Sequence, residues 1–240
     1  MISNWENRYP IKQTHGNTAL LVFALSHEEE VKRKPFLNKG NLAFAFNQHS
    51  LEVAQRSGLP VFHVDETQQS GSNFAARFSN AIRSVFDAGF DKVITIGNDS
   101  PELSVAHVHR AKDLLEKGKT VLGPTNDGGF YLMGLSKADF DYETFLQFSW
   151  NTDLLFGELY KSLLTEGKSC DMLEQLHDVD HFATLANLDL QRVSNRQLRK
   201  VIQALIRMPR CAVGHAQFAT FDLAYSALFN KGSPTPFFAS

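Results

Sequence analysis

Three short segments of this sequence place carboxylates where chemistry can use them. Ile96-Gly97-Asn98-Asp99-Ser100-Pro101 ends an apolar run on an aspartate. A carboxylate presented at the end of a buried strand suits Mg²⁺ or Mn²⁺, hard cations that prefer oxygen and bridge phosphates. The alternative is an aspartate that closes a turn or caps a helix. Asp178-Val179-Asp180 holds two carboxylates two residues apart, which face the same way only if the chain is extended there. One of them then completes a divalent site with Asp99, or Asp180 caps the helical run that follows. Asn126-Asp127-Gly128-Gly129 has the composition of a turn. It either connects two strands or lets a ligand approach the backbone, with Asp127 on a hydroxyl and Phe130 and Tyr131 beside a sugar or base.

Other candidates carry less. His107 and His109 stand two apart on an expected helix, a poor geometry for sharing a metal, and His177 and His181 flank a segment that reads as non-helical. The chain has no Gly-x-Ser-x-Gly elbow, no Walker A loop and no Gly-x-Gly-x-x-Gly fingerprint, which counts against hydrolase, kinase and dehydrogenase chemistry.

The elements that must position these residues follow a rhythm. Thr18 to Leu25 is a continuous apolar run, as in a strand buried on both faces. Ser26 to Lys34 reads as a charged loop before Pro35. A helix is expected over 38–57, stopped by Gly58, then a strand at 60–64. Phe74, Phe78, Ile82, Val85 and Phe86 mark one face of a helix closed by Gly89, and 92–97 is a third strand. Ser104 caps a helix to Lys117, ended by Gly118, and 120–123 is a fourth strand. Strand and helix alternating in this way predict an open, doubly wound sheet with parallel crossovers. The loop from Pro124 to Gly129 is too short for another crossover, so the strand at 130–135 must enter antiparallel or out of order. Helices near 139–147 and 152–166, a weak strand around 169–175 and helical sequence from 184 complete the chain, with a further apolar helix at 218–229. The division expected is a polar lead-in at 1–17, an α/β domain at 18–190 and a helical extension at 191–240, whose tail covers the sheet or a partner subunit in a homo-oligomer.

Composition narrows the partners. The chain has 240 residues, 43% of them hydrophobic and 21% charged, with a net charge of -2, so a packed core is expected and a phosphate-backbone binder is not. Its 20 Phe against 5 Tyr and 2 Trp read as a Phe-packed interior. Two distant cysteines, Cys170 and Cys211, have neither metal spacing nor a disulfide pattern, and no stretch reaches the ~18 apolar residues of a membrane span. With no apolar signal-like segment in the first 17 residues, a cytoplasmic protein is expected.

Several blocks taken together resemble a bacterial family of glycosyltransferase-A-like proteins, related to the 2-phospholactate guanylyltransferases and other nucleotide-diphospho-sugar transferases. They are Gln69-Ser70-Gly71 through Arg77, Ile96 through Leu103, Leu122 through Leu135, and Leu176-His177-Asp178-Val179-Asp180, with Ser149-Trp150-Asn151-Thr152 as a looser fifth. The resemblance spans about residues 18–190 and implies a three-layer α/β sandwich with a mostly parallel mixed sheet. It implies a nucleotide or nucleotide-sugar in the crevice after the first strand, and Mg²⁺ or Mn²⁺ held by Asp99 with Asp178 or Asp180. Asp99 and Asp127 are the implied catalytic carboxylates; Gly128, Gly129, Phe130 and Trp150 face the acceptor or sugar. Arg77 and the trio Lys32, Arg33 and Lys34 serve the nucleotide.

One block departs from that family. Its first loop carries Pro and Gly before Lys-Thr-Arg, whereas this chain has Ser26-His27-Glu28-Glu29-Glu30-Val31-Lys32-Arg33-Lys34-Pro35. Glutamates beside a polyphosphate repel it unless cations intervene. Two functions therefore follow: a metal-dependent nucleotide-diphospho-sugar transferase, acting by glycosyl or nucleotidyl transfer, or a catalytically degenerate member of the same fold that binds a ligand or partner.

Overall fold

The computed structural model of the protein describes residues 17–165 and 167–207. The lead-in before residue 17, Cys211 and the helix expected at 218–229 lie outside the described residues, and with them the oligomer contact expected of the tail. Strand β1 (Thr18–Phe23) is buried in all but its last residue, as its unbroken apolar run requires. After it, Ser26 to Lys34 is not a loop. Ser26 caps a helix α1 (His27–Arg33), its side chain accepting from the Glu29 amide at 3.3 Å. Glu28, Glu29 and Glu30 occupy the first turn and Lys32 and Arg33 the last, the order that complements the helix dipole. Pro35 then starts a 3-10 segment, Pro35–Asn41, that leads into α2 (Leu42–Arg56). The charged composition had hidden a short helix.

The chain continues through β2 (Val61–Val64), α3 (Phe74–Asp87), β3 (Lys92–Ile96), α4 (Val105–Glu116), β4 (Thr120–Pro124) and β5 (Phe130–Ser136). Ser104 caps α4 in a capping box with His107, and Gly58, Gly89 and Gly118 follow their helices with positive φ. Then come α5 (Tyr142–Gln147), α6 (Leu155–Thr165), β6 (Cys170–Met172), α7 (Phe182–Asn187) and α8 (Arg196–Arg207). The helical sequence after 184 is thus two helices, and the residue capping α7 is His181, not Asp180.

The six strands form one mixed sheet in the order β2-β1-β3-β5-β4-β6. β1 pairs in parallel with both β2 and β3, while β5 runs antiparallel between β3 and β4, as the short 125–129 loop demands. Alternate residues of the central strands face opposite layers. Leu20, Val22, Ile94 and Ile96 pack on α2 and α4; Ala19, Leu21 and Val93 pack on α3, α5 and α6. This is the three-layer arrangement of the glycosyltransferase-A-like fold. A third apolar cluster joins α8 to α2 through Phe46, Leu198 and Ile202 and takes in Val179.

One topological consequence positions the site. The chain leaves β1 in one direction to β2, then crosses back over β1 to β3, so the strand order reverses between β1 and β3. In open α/β sheets the crevice at such a point, beyond the carboxyl ends of the strands, is where ligands bind.

Candidate functional site

A cleft opens at that reversal. Phe23, Ala24 and Leu25 line it from the end of β1, Ile96 through Ser100 from the end of β3, Gln69 from the segment before α3, and Phe74, Arg77 and Phe78 from the start of α3. Phe130, Trp150, Asn151 and Asp178 close it, and its volume is about 140 Å³. All five blocks that carried the sequence resemblance contribute to it. The turn 126–129 does not reach the lining.

Asp99, Asp178 and Asp180 converge, offering oxygens that lie within 4.8 Å of one another. They come from segments about eighty residues apart, so the meeting is a property of the fold. After β6 the chain runs beside β4, with the Leu176 amide donating to the Pro124 carbonyl at 3.1 Å. It then crosses to β3, where the Val179 amide donates to the Asp99 carbonyl at 3.0 Å. Val179 is fully buried while Asp178 and Asp180 are half-buried, so the extended segment turns both carboxylates to the same side. Glu102 secures this crossing. Its buried carboxylate accepts the His177 amide at 2.9 Å, lies 3.0 Å from His177 Nδ1, and pairs with Arg192 at 3.3 Å.

A cation already rests on two of the three aspartates. Lys34 Nζ lies 3.0 Å from Asp99 Oδ2 and 2.7 Å from Asp180 Oδ1, with only 11% of its side chain exposed. Burial works against its charge, but Asp99, Asp180, Glu30 and Asp178 outweigh burial and hold the ammonium well above the ordinary lysine range. Burial pushes Asp99 up to about 6, with Lys34 opposing the shift and Glu30 and Asp180 adding to it. Glu30 is itself raised by burial and is hydrogen-bonded to Asn98. Three carboxylates this close form a hard oxygen donor set that fits Mg²⁺ or Mn²⁺, and the Lys34 ammonium shows that the cluster accepts positive charge.

The remaining expected residues separate. Lys32 is 72% exposed and pairs with Glu29 at 2.9 Å, away from the cleft. Arg33 and Arg77 both line the cleft; desolvation, then the field of Arg33, lowers the Arg77 guanidinium. Phe130 and Trp150 belong to an aromatic wall with Phe74 and Phe78, in which Trp150 stands 5.4 Å from Phe74 and 5.3 Å from Phe78. Asp127 accepts from the Thr125 hydroxyl and from the Gly129 amide at 3.2 Å, closing its own turn. Gly128 has φ +86 and sits against the Asp153 backbone, where a Cβ would meet atoms at 2.4–2.8 Å.

Four contributors, Glu30, Glu102, Phe74 and Phe78, are not marked as site residues by the sequence alone. Glu30 and Lys34 stand four apart, a helical spacing that signals α1 once the segment is read as a helix. Glu102 follows Pro101 inside the block that drew attention to Asp99, yet nothing local shows that its partners are His177 and Arg192. Phe74 and Phe78 looked like core and are also cleft wall.

Residues 37–152 match the family described as an uncharacterized protein conserved in bacteria (DUF2064). No curated protein matches the chain. Among solved structures, a Desulfovibrio desulfuricans G20 protein described as a candidate nucleotide-diphospho-sugar transferase is 21% identical over 80% of this chain and 98% of that chain, with a TM-score of 0.63. Rv0371c from Mycobacterium tuberculosis H37Rv is 13% identical over 76% of this chain and 100% of its own, with a TM-score of 0.45. Its manganese complex aligns at 11% identity over 76% of this chain and 100% of that one, with a TM-score of 0.41. The mycobacterial likeness is too distant to bear on the site. The match over 37–152 and the likeness to the Desulfovibrio structure agree with the resemblance read from the sequence: the chain has the glycosyltransferase-A-like fold and is similar in sequence to that bacterial family.

Proposed function

We propose that the protein is a metal-dependent transferase acting on a nucleotide or nucleotide-diphospho-sugar. The observation that carries this reading is the convergence of Asp99, Asp178 and Asp180 within 4.8 Å beside a cleft at the strand-order reversal. Asp99 with Asp178 and Asp180 holds Mg²⁺ or Mn²⁺, which when bound neutralises negative charge on a diphosphate. Arg33 and Arg77 bind the phosphates, since two guanidiniums on one cleft offer charge-assisted bonds to anionic oxygens. Phe74, Phe78, Phe130 and Trp150 supply flat apolar surface for a base or a sugar face, and they exclude water from it. Asp127, in the turn after β4, is kept as a candidate for the acceptor hydroxyl.

A panel of nucleoside triphosphates and nucleotide-sugars, read by thermal shift with and without Mn²⁺, tests the reading. Stabilisation by one nucleotide that needs the metal and vanishes in Asp99→Ala supports it. A flat response to every nucleotide at millimolar concentration sinks it.

A second reading is a non-catalytic member of the fold that binds its ligand without transfer. Lys34 favours it, because its ammonium rests on the oxygens a metal would use. Metal-independent nucleotide binding with no product by mass spectrometry would select this reading.

A further inference from the structure

Lys34 reaches the three aspartates from an element that has no other part in the cluster except Glu30. It is the residue that ends α1, its amide donates to the Glu30 carbonyl at 2.7 Å, and Pro35 follows it, so its backbone is fixed from both sides. Its Nζ contacts oxygens of Asp99 and Asp180, two of the three residues able to hold a metal. A divalent ion lies roughly 2.1 Å from an oxygen ligand. An ion on the same oxygens would therefore stand no more than about 5 Å from an ammonium that kept its present contacts. Two like charges at that separation in a mostly buried site repel strongly.

We propose that Lys34 is the resident cation of the Asp99–Asp178–Asp180 cluster, and that a divalent metal enters only by displacing its ammonium. The inference rests on the reading of the cluster as a metal site. It changes the role of Lys34 from a phosphate contact to a positioning residue that holds three carboxylates together in the metal-free protein. When the ammonium leaves, it stays on the cleft it shares with Arg33 and Arg77.

The test is Mn²⁺ affinity, followed by the loss of the free-ion paramagnetic resonance signal, in the wild type, Lys34→Met and Lys34→Arg. Removing the competing charge should tighten Mn²⁺ binding by about tenfold or more in Lys34→Met, while Lys34→Arg, which keeps the charge, stays near the wild type. Should Lys34→Met fail to fold, the wild type answers alone. Amine acetylation read by peptide mass spectrometry should spare Lys34 without metal and label it when Mn²⁺ saturates, with exposed Lys32 labelled in both. Equal Mn²⁺ affinity in wild type and Lys34→Met, or Lys34 labelling that Mn²⁺ does not change, overturns the displacement while leaving an Asp99-dependent metal site standing. No Mn²⁺ binding by either protein at millimolar concentration overturns both the displacement and the metal site.

Discussion

Glu102 holds His177 by two contacts to one oxygen, the backbone amide at 2.9 Å and Nδ1 at 3.0 Å. Glu102 follows Asp99 on the loop after β3, and His177 precedes Asp178 on the segment after β6. This pair therefore ties together the two segments whose carboxylates converge. The Glu102 carboxylate is fully buried and also meets Arg192.

Truncating Glu102 should loosen the cluster and the fold together. Glu102→Ala leaves the His177 amide without its buried acceptor and leaves Arg192 only Glu174 to pair with, a loss on the order of 1–3 kcal/mol. Urea unfolding should show the midpoint falling with little change in slope. Mn²⁺ affinity should fall as well, and Glu102→Gln, which retains an acceptor, should lose less of both. An unchanged midpoint in Glu102→Ala would dismiss the tie.

Asp99 sets a pH dependence. Its carboxyl is pushed up to about 6 from an ordinary value of 3.8, chiefly by burial. The folded protein therefore binds the proton more tightly than the unfolded chain does. The stability this contributes is complete below the unfolded value and is lost as pH rises through about 6. Asp99→Asn removes the charged form, so it should gain melting temperature on the wild type at pH 8 without metal and show no such gain at pH 4. Mn²⁺ affinity of the wild type should run the other way, weakening as pH falls through about 6, because the ligand must be ionised. Calorimetric titrations at several pH values check both directions.

Arg33 and Arg77 should account for anion binding in the cleft. Charge-assisted hydrogen bonds contribute about 1.5–3 kcal/mol each, so Arg77→Gln should weaken pyrophosphate binding by roughly 10–100-fold. Lys32→Gln should leave it unchanged, since that side chain is exposed and paired with Glu29. Isothermal titration with pyrophosphate separates the two, and equal losses would place the anion elsewhere.

Gly128 should matter for stability through the turn itself. A Cβ there meets the Asp153 backbone at 2.4–2.8 Å with φ at +86, so neither the side chain nor the backbone suits alanine. Gly128→Ala should lose about 1–3 kcal/mol from strained backbone alone. Thermal melts would show this, while Mn²⁺ affinity measured well below the transition stays close to that of the wild type.

Much of this architecture is legible along the chain. The apolar runs of β1, β3 and β4, the caps at Ser104 and the glycines after α2, α3 and α4 act over a few residues, so periodicity and capping reveal them. The short 125–129 loop by itself excluded a parallel β5, and the alternation in Asp178-Val179-Asp180 was visible as spacing. α1 is masked because its face carries charges in place of an apolar stripe: its Glu30 is buried beside Asn98, in the field of Lys34 and Arg33, which hydrophobic patterning does not detect. Tertiary structure alone decided that Asp178 and Asp180 meet Asp99, that Glu102 secures them, and that Lys34 lies on their oxygens. Those contacts join segments about seventy to one hundred and fifty residues apart, and their energy depends on burial and distance, which exist only once the layers have packed. Asp99 marks the site in the sequence. What surrounds it, and what charge it faces, belongs to the fold.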